Sequence, residues 1–224
     1  MTAEPIILSW SGGKDSSLAL DALRADPSVE VVVLLTTVTT DYDRISIHGV
    51  RRTLLDAQVA AIGLPMYEVS IGAQSSNEAY DAGVERALAN LGLAQPGVRR
   101  IAYGDLFLED VRRYREERLE RLGYKGMFPL WGRRTDVLAR EFVDRGFRAR
   151  LVCVDTTQLD GSFAGREFDH GMLDALPPSV DPCGERGEFH TFVSDGPVFS
   201  TPVQYDVGDV VLRDGRFSYC DLLG

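Results

Sequence analysis

Short apolar runs rich in β-branched residues alternate with amphipathic stretches through the first half of the chain. The runs lie at residues 6–10, 29–38, 66–71 and 99–103. The stretches that repeat apolar side chains at helical spacing lie at residues 50–61, 77–91 and 109–122. Strands that alternate with helices in this way form a parallel sheet with helices on both faces. We therefore predict an α/β fold built on a parallel, doubly wound sheet.

The pattern changes after about residue 126, where Gly, Pro, Asp and Phe become frequent, above all from Asp155 onward. The elements predicted in this part are a helix at 135–145 and strands at 148–154, 203–213 and 217–222. We predict one domain at residues 1–125 and a smaller C-terminal α+β domain at residues 126–224.

Charge and composition exclude several classes of protein. Acidic residues outnumber basic ones by 34 to 24, which gives a net charge of −10, so bulk binding of nucleic acid is not expected. No apolar run approaches the roughly 18–20 residues that span a bilayer. The three cysteines, Cys153, Cys183 and Cys220, form no CxxC pair or zinc spacing, and we expect all three to be structural. These features predict a cytoplasmic protein with no membrane partner, and they are compatible with a homo-oligomer.

A glycine-rich loop directly follows the first predicted strand and leads into a helix. Its sequence is Ser11, Gly12, Gly13, Lys14, Asp15 and Ser16. Glycines allow a phosphate to approach the backbone closely, and the amides of the first helical turn together with Lys14 attract its charge. The loop is not a Walker motif, because Leu8 stands where that motif requires glycine. A plain strand-to-helix turn is the alternative, but only 2 of the 24 basic residues are lysine and one of them lies here. This placement favours a phosphate site.

The sequence SGGKDS resembles the pyrophosphatase-loop motif of the HUP/PP-loop superfamily, whose members split ATP into AMP and pyrophosphate. Four further segments are similar to one branch of it, the diphthine–ammonia ligase family in its compact form. They are residues 47–51, 103–109, 128–132 and 181–191. The last contains the pattern GE-x-GEFHT, which is the most specific of these motifs. The resemblance implies that residues 1–125 bind a nucleotide and that residues 126–224 bind an acceptor.

Two of these segments follow predicted strands at the edge of the sheet where the glycine loop lies. His48 follows the second strand and is expected to contact the nucleotide, although a packed or helix-capping histidine is equally compatible with the sequence. Gly104 and Asp105 follow the fourth. Gly104 permits close approach and Asp105 could hold magnesium or a substrate amine, with a plain turn as the alternative.

The last segment collects several polar side chains between glycines. Glu185, Glu188, His190 and Thr191 are poor core residues, and such a cluster can bind a cationic group, position ammonia or hold magnesium. We predict Lys14, Glu185, Glu188 and His190 as catalytic residues, with Thr191 as a further substrate contact. A surface turn with coincidental charges is the alternative.

The resemblance implies an enzyme that uses ATP and Mg²⁺ to adenylate a carboxylate and then amidates it with ammonia, releasing AMP and pyrophosphate. The acceptor carboxylate would be a small molecule or a diphthine-like protein side chain, diphthine being the modified histidine of translation elongation factor 2. Two alternatives come from other classes: a PP-loop tRNA-modifying enzyme, and a non-catalytic protein that binds adenine nucleotides. The net negative charge argues against the first.

Overall fold

Two sheets are present in the computed structural model, which describes residues 2–41, 43–45, 48–72, 77–94 and 97–224. The strands of the first sheet are β1 (Glu4–Ser9), β2 (Val29–Thr39), β3 (Arg44–Ile45), β4 (Met66–Ile71), β5 (Arg100–Ala102) and β6 (Lys125–Met127). The helices that accompany it are α1 (Lys14–Arg24), α2 (Arg52–Ile62), α3 (Asn77–Ala94) and α4 (Glu109–Arg121). Strands β4, β2, β1, β5 and β6 run parallel in that order, and the short β3 pairs antiparallel with β2.

Alternating side chains of β1 enter two different apolar clusters, one on each face of the sheet. Ile6 and Leu8 pack with the apolar sides of α1 and α2, whereas Ile7 packs with those of α3 and α4. All three are fully buried. The predicted parallel, doubly wound sheet is therefore confirmed.

One predicted helix end is wrong. The helical pattern at residues 77–91 predicts an end at the glycine that follows it, Gly92, but α3 continues to Ala94. The helix passes Gly92 because it packs there on Tyr124, whose hydroxyl lies 3.4 Å from the place of a Cβ on this glycine and donates to the carbonyl of Leu88. The sequence also predicts Asn77 as the N-cap of this helix; Asn77 is the first residue of α3, and its side chain lies outside the described part of the chain.

The C-terminal part forms a separate antiparallel sheet with two short helices, as the predicted α+β lobe requires. Its elements are α5 (Thr135–Asp144), β7 (Arg148–Asp155), a 3₁₀ turn (Gly161–Phe163), α6 (His170–Ala175), β8 (Phe189–Asp195), β9 (Asp206–Arg213) and β10 (Phe217–Leu223). The strand order is β8-β7-β10-β9. The strand β8, which the sequence did not predict, begins inside the GE-x-GEFHT segment, so that His190 and Thr191 lie on a strand. The predicted division at residue 125 coincides with β6 and stays a prediction.

The two sheets meet at the glycine loop. The N–H of Val193 on β8 donates to the carbonyl of Gly12 at 2.9 Å, and that of Ser200 donates to Ala61 at 2.8 Å. One continuous apolar cluster includes side chains of both sheets. The loop after β1 is thus held from both parts of the chain. Within the described residues, no helix has the length and apolar character needed to cross a membrane.

Candidate active site

The glycine loop connects the carboxyl end of β1 to the first turn of α1. Gly13 precedes the helix, and its carbonyl accepts hydrogen bonds from the N–H of Ser17 at 3.1 Å and the hydroxyls of Ser16 and Ser17 at 2.9 and 3.0 Å. Gly12 has a φ of +75°, which favours glycine. The loop therefore turns tightly and directs the N-terminus of α1 toward the carboxyl edge of the sheet.

Gln58 of α2 fixes the conformation of this loop, although the sequence analysis did not single it out. Its side chain is fully buried. Its Nε2 donates to the carbonyls of Gly12 at 3.0 Å and Val193 at 2.6 Å, while its Oε1 accepts from Nε1 of Trp10 at 3.3 Å. A Cβ on Gly12 would lie 2.6 Å from that Oε1. The amide of Gln58 thus links the loop to β8.

Thr191 of β8 contacts the first residue of α1. Its Oγ1 accepts a hydrogen bond from the backbone N–H of Lys14 at 3.1 Å. A Cβ on Gly13 would lie 3.1 Å from the carbonyl oxygen of Thr191 and 3.0 Å from Nε2 of His48. The structure thus places Thr191 against the glycine loop.

Lys14 and Asp15 form an ion pair at the helix N-terminus. The Nζ of Lys14 lies 2.7 Å from Oδ2 of Asp15, with the two side chains 3% and 30% exposed. Burial opposes the charge of Lys14, but the Asp15 carboxylate, with smaller contributions from Cys183 and Glu185, outweighs it in sum, and the pKa of Lys14 is raised. Burial also raises the pKa of Asp15, against the effect of Lys14. Lys14 is therefore a firmly protonated cation at the start of α1.

Two histidines lie side by side, one in the turn between β3 and α2 and the other on β8. The rings of His48 and His190 have centroids 4.8 Å apart at an interplanar angle of 47°. Burial, with the charges of His48 and Lys14, lowers the pKa of His190 well below its ordinary value. His190 is therefore neutral near pH 7 and can accept or donate one hydrogen bond at each ring nitrogen.

The segment that carries His48 is tied to β10. Asp221 accepts hydrogen bonds from Arg44 at 2.9 Å and from Arg51 at 2.5 Å. These bonds, above all the one from Arg51, lower the pKa of this carboxyl to about 2. Gly49 has a φ of +68°, and a Cβ there would lie 2.9 Å from the ring of Tyr219. Ile47, the first residue of the predicted motif, lies outside the described residues. The position of His48 thus depends on the C-terminal sheet.

The segment after β5 approaches the same loop. A Cβ on Gly104 would lie 2.8 Å from the backbone of Asp15, so this glycine allows contact with α1 itself. Asp105 accepts hydrogen bonds from Arg115 of α4 at 2.7 and 3.2 Å, and the guanidinium of Arg115 stacks on Tyr103 at 4.3 Å. Arg115 was not predicted as a site residue.

A signal for Arg115 exists in the sequence. Most arginines of α4 have an acidic residue three or four positions away, with which they can pair along the helix surface, as Arg112 pairs with Glu116 at 2.9 Å. Arg115 and Arg118 have no acid at these spacings. Both reach other segments instead, Arg115 to Asp105 and Arg118 to Asp81 of α3 at 2.9 Å.

The two glutamates of the GE-x-GEFHT segment have different surroundings. Oε1 of Glu185 accepts from the N–H of Leu106 at 2.7 Å, and burial raises the pKa of Glu185 to about 7. Glu188 is only 2% exposed, and its two oxygens accept from the N–H groups of Asp181 at 3.0 Å and Arg186 at 2.9 Å. The carboxylate of Glu188 therefore holds the loop before β8 in shape, and this position argues against direct contact with a substrate.

A cavity of about 450 Å³ lies where these segments meet, within the usual size for a small-molecule site. It is lined by most of the residues predicted for the site. They are Ser11, Lys14, Asp15, Ser16, His48, Gly104, Asp105, Glu185, His190 and Thr191. The other three predicted residues, Gly12, Gly13 and Glu188, are not among its lining residues. The roles of these residues in binding and catalysis stay predictions.

Cys183 is buried, and burial raises the pKa of its thiol, which disfavours a thiolate mechanism.

Three carboxylates line the cavity: Asp15, Asp105 and Glu185. In the described part of the chain no group of three His, Cys, Asp or Glu side chains is arranged to hold a metal ion by itself. Burial is the main cause that raises the pKa of Asp15 and of Glu185, and the neighbouring carboxylates add to both shifts, so these acidic groups lie close enough to repel one another. Mg²⁺ that accompanies a nucleotide uses one or two carboxylates and the phosphates, and these residues fit that requirement.

Comparisons with known proteins point to one family. Residues 5–126 match the family described as the diphthamide synthase N-terminal domain, and residues 134–212 match the diphthamide synthase C-terminal domain. The chain is 27% identical over 223 residues to the diphthine–ammonia ligase of Schizosaccharomyces pombe and 26% identical over 223 residues to that of Homo sapiens. The alignments cover 90% and 91% of the chain, but 36% of the yeast protein and 83% of the human one. The chain therefore spans about a third of the yeast relative.

Proposed function

Because the chain belongs to the diphthamide synthase family, we propose that it is an ATP-dependent ligase that amidates a carboxylate with ammonia. One observation carries the proposal. The N-terminus of α1, with the buried Lys14 cation, and a carboxyl with a pKa of about 7, Glu185, line the same cavity. The first is suited to phosphates and the second to proton transfer near neutral pH.

In the proposed first step, an oxygen of the acceptor carboxylate attacks the α-phosphorus of ATP. A bond forms between that oxygen and the α-phosphorus. The bond from the α-phosphorus to the oxygen that bridges it to the β-phosphorus breaks, and pyrophosphate leaves with the electron pair. The amides at the start of α1 and the Lys14 ammonium would stabilise the charge that develops on the leaving group. The acceleration comes from positioning and charge, with no covalent bond to the enzyme.

In the second step, ammonia attacks the carbonyl carbon of the acyl adenylate, a proton leaves the nitrogen, and AMP departs to give the amide. Glu185 is the proposed acceptor of that proton. One of its oxygens, Oε1, is held by the N–H of Leu106, and its pKa of about 7 matches transfer near neutral pH. The neutral ring of His190 faces the same cavity and supplies a second polar contact for the ammonia or the acceptor.

Magnesium is proposed to bind with ATP. Asp15 and Asp105 are the candidates to hold it together with the phosphates, since both carboxylates line the cavity beside the loop. When bound, the ion would neutralise charge on the phosphates. Lys14 and Arg115, the cations of the cavity, are already paired with these carboxylates at 2.7 Å. The carboxylates therefore leave little spare positive charge for a triphosphate, which supports a need for the ion.

Diphthine is the first acceptor to test, because the relatives carry the name diphthine–ammonia ligase. The experiment incubates the protein with labelled ATP, ammonium and Mg²⁺, and adds either elongation factor 2 bearing diphthine or a panel of small carboxylic acids. We expect AMP and pyrophosphate to form in equal amounts with the amide, and only when acceptor and ammonium are both present.

Two results would contradict the proposal. Tight ATP binding without AMP release for any acceptor would indicate a nucleotide-binding protein. AMP release that depends on tRNA would indicate a tRNA-modifying enzyme. A Lys14→Ala variant provides the background for either measurement.

A further inference from the structure

Exposed apolar side chains are concentrated in one hairpin of the C-terminal sheet. Among the described residues, seven large apolar side chains are exposed, and five of them lie on β9 or at the end of β10. These are Val207 (50%), Val210 (51%), Val211 (40%), Leu212 (56%) and Leu223 (42%). β9 is an edge strand that pairs with β10 alone in its sheet. Such an edge presents both apolar surface and backbone hydrogen-bonding groups to a further strand.

Three of the four exposed apolar side chains of β9 lie on the face of the sheet that covers the core, and the fourth, Val211, pairs with Tyr219 on the other face. Leu212 and Val210 are paired with Ser218 and Cys220, which are 7% and 4% exposed. The next pair joins Val207 to the buried Leu222. The core therefore ends beneath β10, and the inward side chains of β9 project beyond it.

A register shift in β9 makes this strand complementary to itself. Cys220 opposes Val210, but Leu222 opposes Val207, so residues 208 and 209 together occupy one position. The shift brings Asp206 and Arg213, seven residues apart, to the same outward face. In an antiparallel pair with a two-fold axis at Val210, each Asp206 opposes the Arg213 of the other copy. On the inner face each Val207 opposes Leu212 and the two Val210 side chains meet.

We propose that β9 pairs antiparallel with the β9 of a second copy of this chain about a two-fold axis at Val210. Two antiparallel sheets then become one sheet of eight strands. The second copy is the favoured occupant because the charges at both ends of β9 and its inward apolar side chains match their own two-fold image in a single register. Val210 lies at the centre of the interface and the two Asp206–Arg213 pairs lie at its ends.

The test measures self-association by sedimentation equilibrium over a wide range of protein concentration. Asp206→Arg and Arg213→Asp each place like charges opposite one another twice per dimer, and we expect each variant to raise the dimer dissociation constant about tenfold. Val210→Asp places two carboxylates at the axis and should abolish the dimer. Val137→Asp is the matched control, because Val137 is 50% exposed on α5 and should leave association unchanged.

A mixture of the two single variants tests the register itself. In a pair made of one Asp206→Arg copy and one Arg213→Asp copy, both end contacts again join opposite charges. We expect the mixture to dimerise about as tightly as the unmodified chain. Circular dichroism and thermal unfolding of each variant show that the fold is retained.

Three results would overturn the proposal. The unmodified chain could remain monomeric at all concentrations. It could dimerise with an affinity that Val210→Asp leaves unchanged, which would place the interface elsewhere. Finally, the mixture could be no tighter than the single variants, which would exclude this register. A monomer whose β9 takes up an extended peptide of another protein also falls under the first result.

Discussion

The backbone N–H of Lys14 donates a hydrogen bond to Oγ1 of Thr191 over 3.1 Å. These residues are 177 positions apart, and the bond joins the first turn of α1 to β8 of the second sheet. The chain therefore completes its candidate nucleotide loop with a side chain from its C-terminal part.

Replacing Thr191 by valine should weaken ATP binding more than acceptor binding. Valine keeps the shape but removes the oxygen that Lys14 N–H contacts, which costs about 1 kcal/mol and corresponds to a KM for ATP about fivefold higher. The KM for the acceptor should change little. Thr191→Ser retains the hydroxyl and is the control. If only the acceptor KM changes, Thr191 contacts the acceptor and does not act through the loop.

Gln58→Glu should disturb the same loop from the other side. The new carboxylate would face the carbonyls of Gly12 and Val193, to which the native Nε2 donates. We expect the free energy of unfolding to fall by about 2 kcal/mol and the KM for ATP to rise about tenfold. Gln204→Glu makes the same charge change at an exposed position. Equal effects of the two substitutions would remove the special role assigned to Gln58.

Lys14→Ala should abolish ATP turnover and also destabilise the protein. Removal of the ammonium leaves the Asp15 carboxylate without its cation at 2.7 Å, at a cost of about 1–3 kcal/mol given the partial exposure of Asp15. The double variant Lys14→Ala with Asp15→Asn should recover most of this stability without recovering turnover. Chemical denaturation and AMP release are the two measurements. Turnover in either variant would show that Lys14 is dispensable.

The sequence was informative where local rules decide the structure. The strand Met66–Ile71 begins after Pro65, as predicted, and ends where predicted. The segments that carry the glycine loop, His48 and Asp105 were expected at one edge because parallel strands carry their carboxyl ends together. The cavity at that edge contains all three.

Other roles depend on contacts that the sequence does not encode locally. Glu185 and Glu188 are both glutamates beside glycines, but β8 begins at Phe189, and the turn before it buries the second fully and the first only in part. The sequence contained one indication that Gln58 is important: it is a polar residue at the spacing of Leu54, Leu55 and Ala61, on the buried face of α2. Its partners, however, follow only from the contact between the two sheets.

The pH dependence of activity should follow Glu185. Its pKa is raised to about 7 by burial, so a base at this position is fully ionised only above pH 7, and turnover should rise as pH increases through 7. The same shift has the opposite effect on stability. Because the folded state holds this proton more tightly than the unfolded state, stability is lost as pH rises from about 4.5 to about 7.

Glu185→Gln should therefore lose turnover and be more stable than the unmodified chain at pH 8, by about 1–2 kcal/mol after allowance for partial exposure, with little difference at pH 4. Comparison of the two proteins at each pH, with total ammonium constant, removes the effect of the changing ammonia fraction. Denaturant titrations give the stability and amide formation gives the turnover. If the variant retains the rise in turnover through pH 7, the proton acceptor is a different group, and His190 is the next candidate to replace.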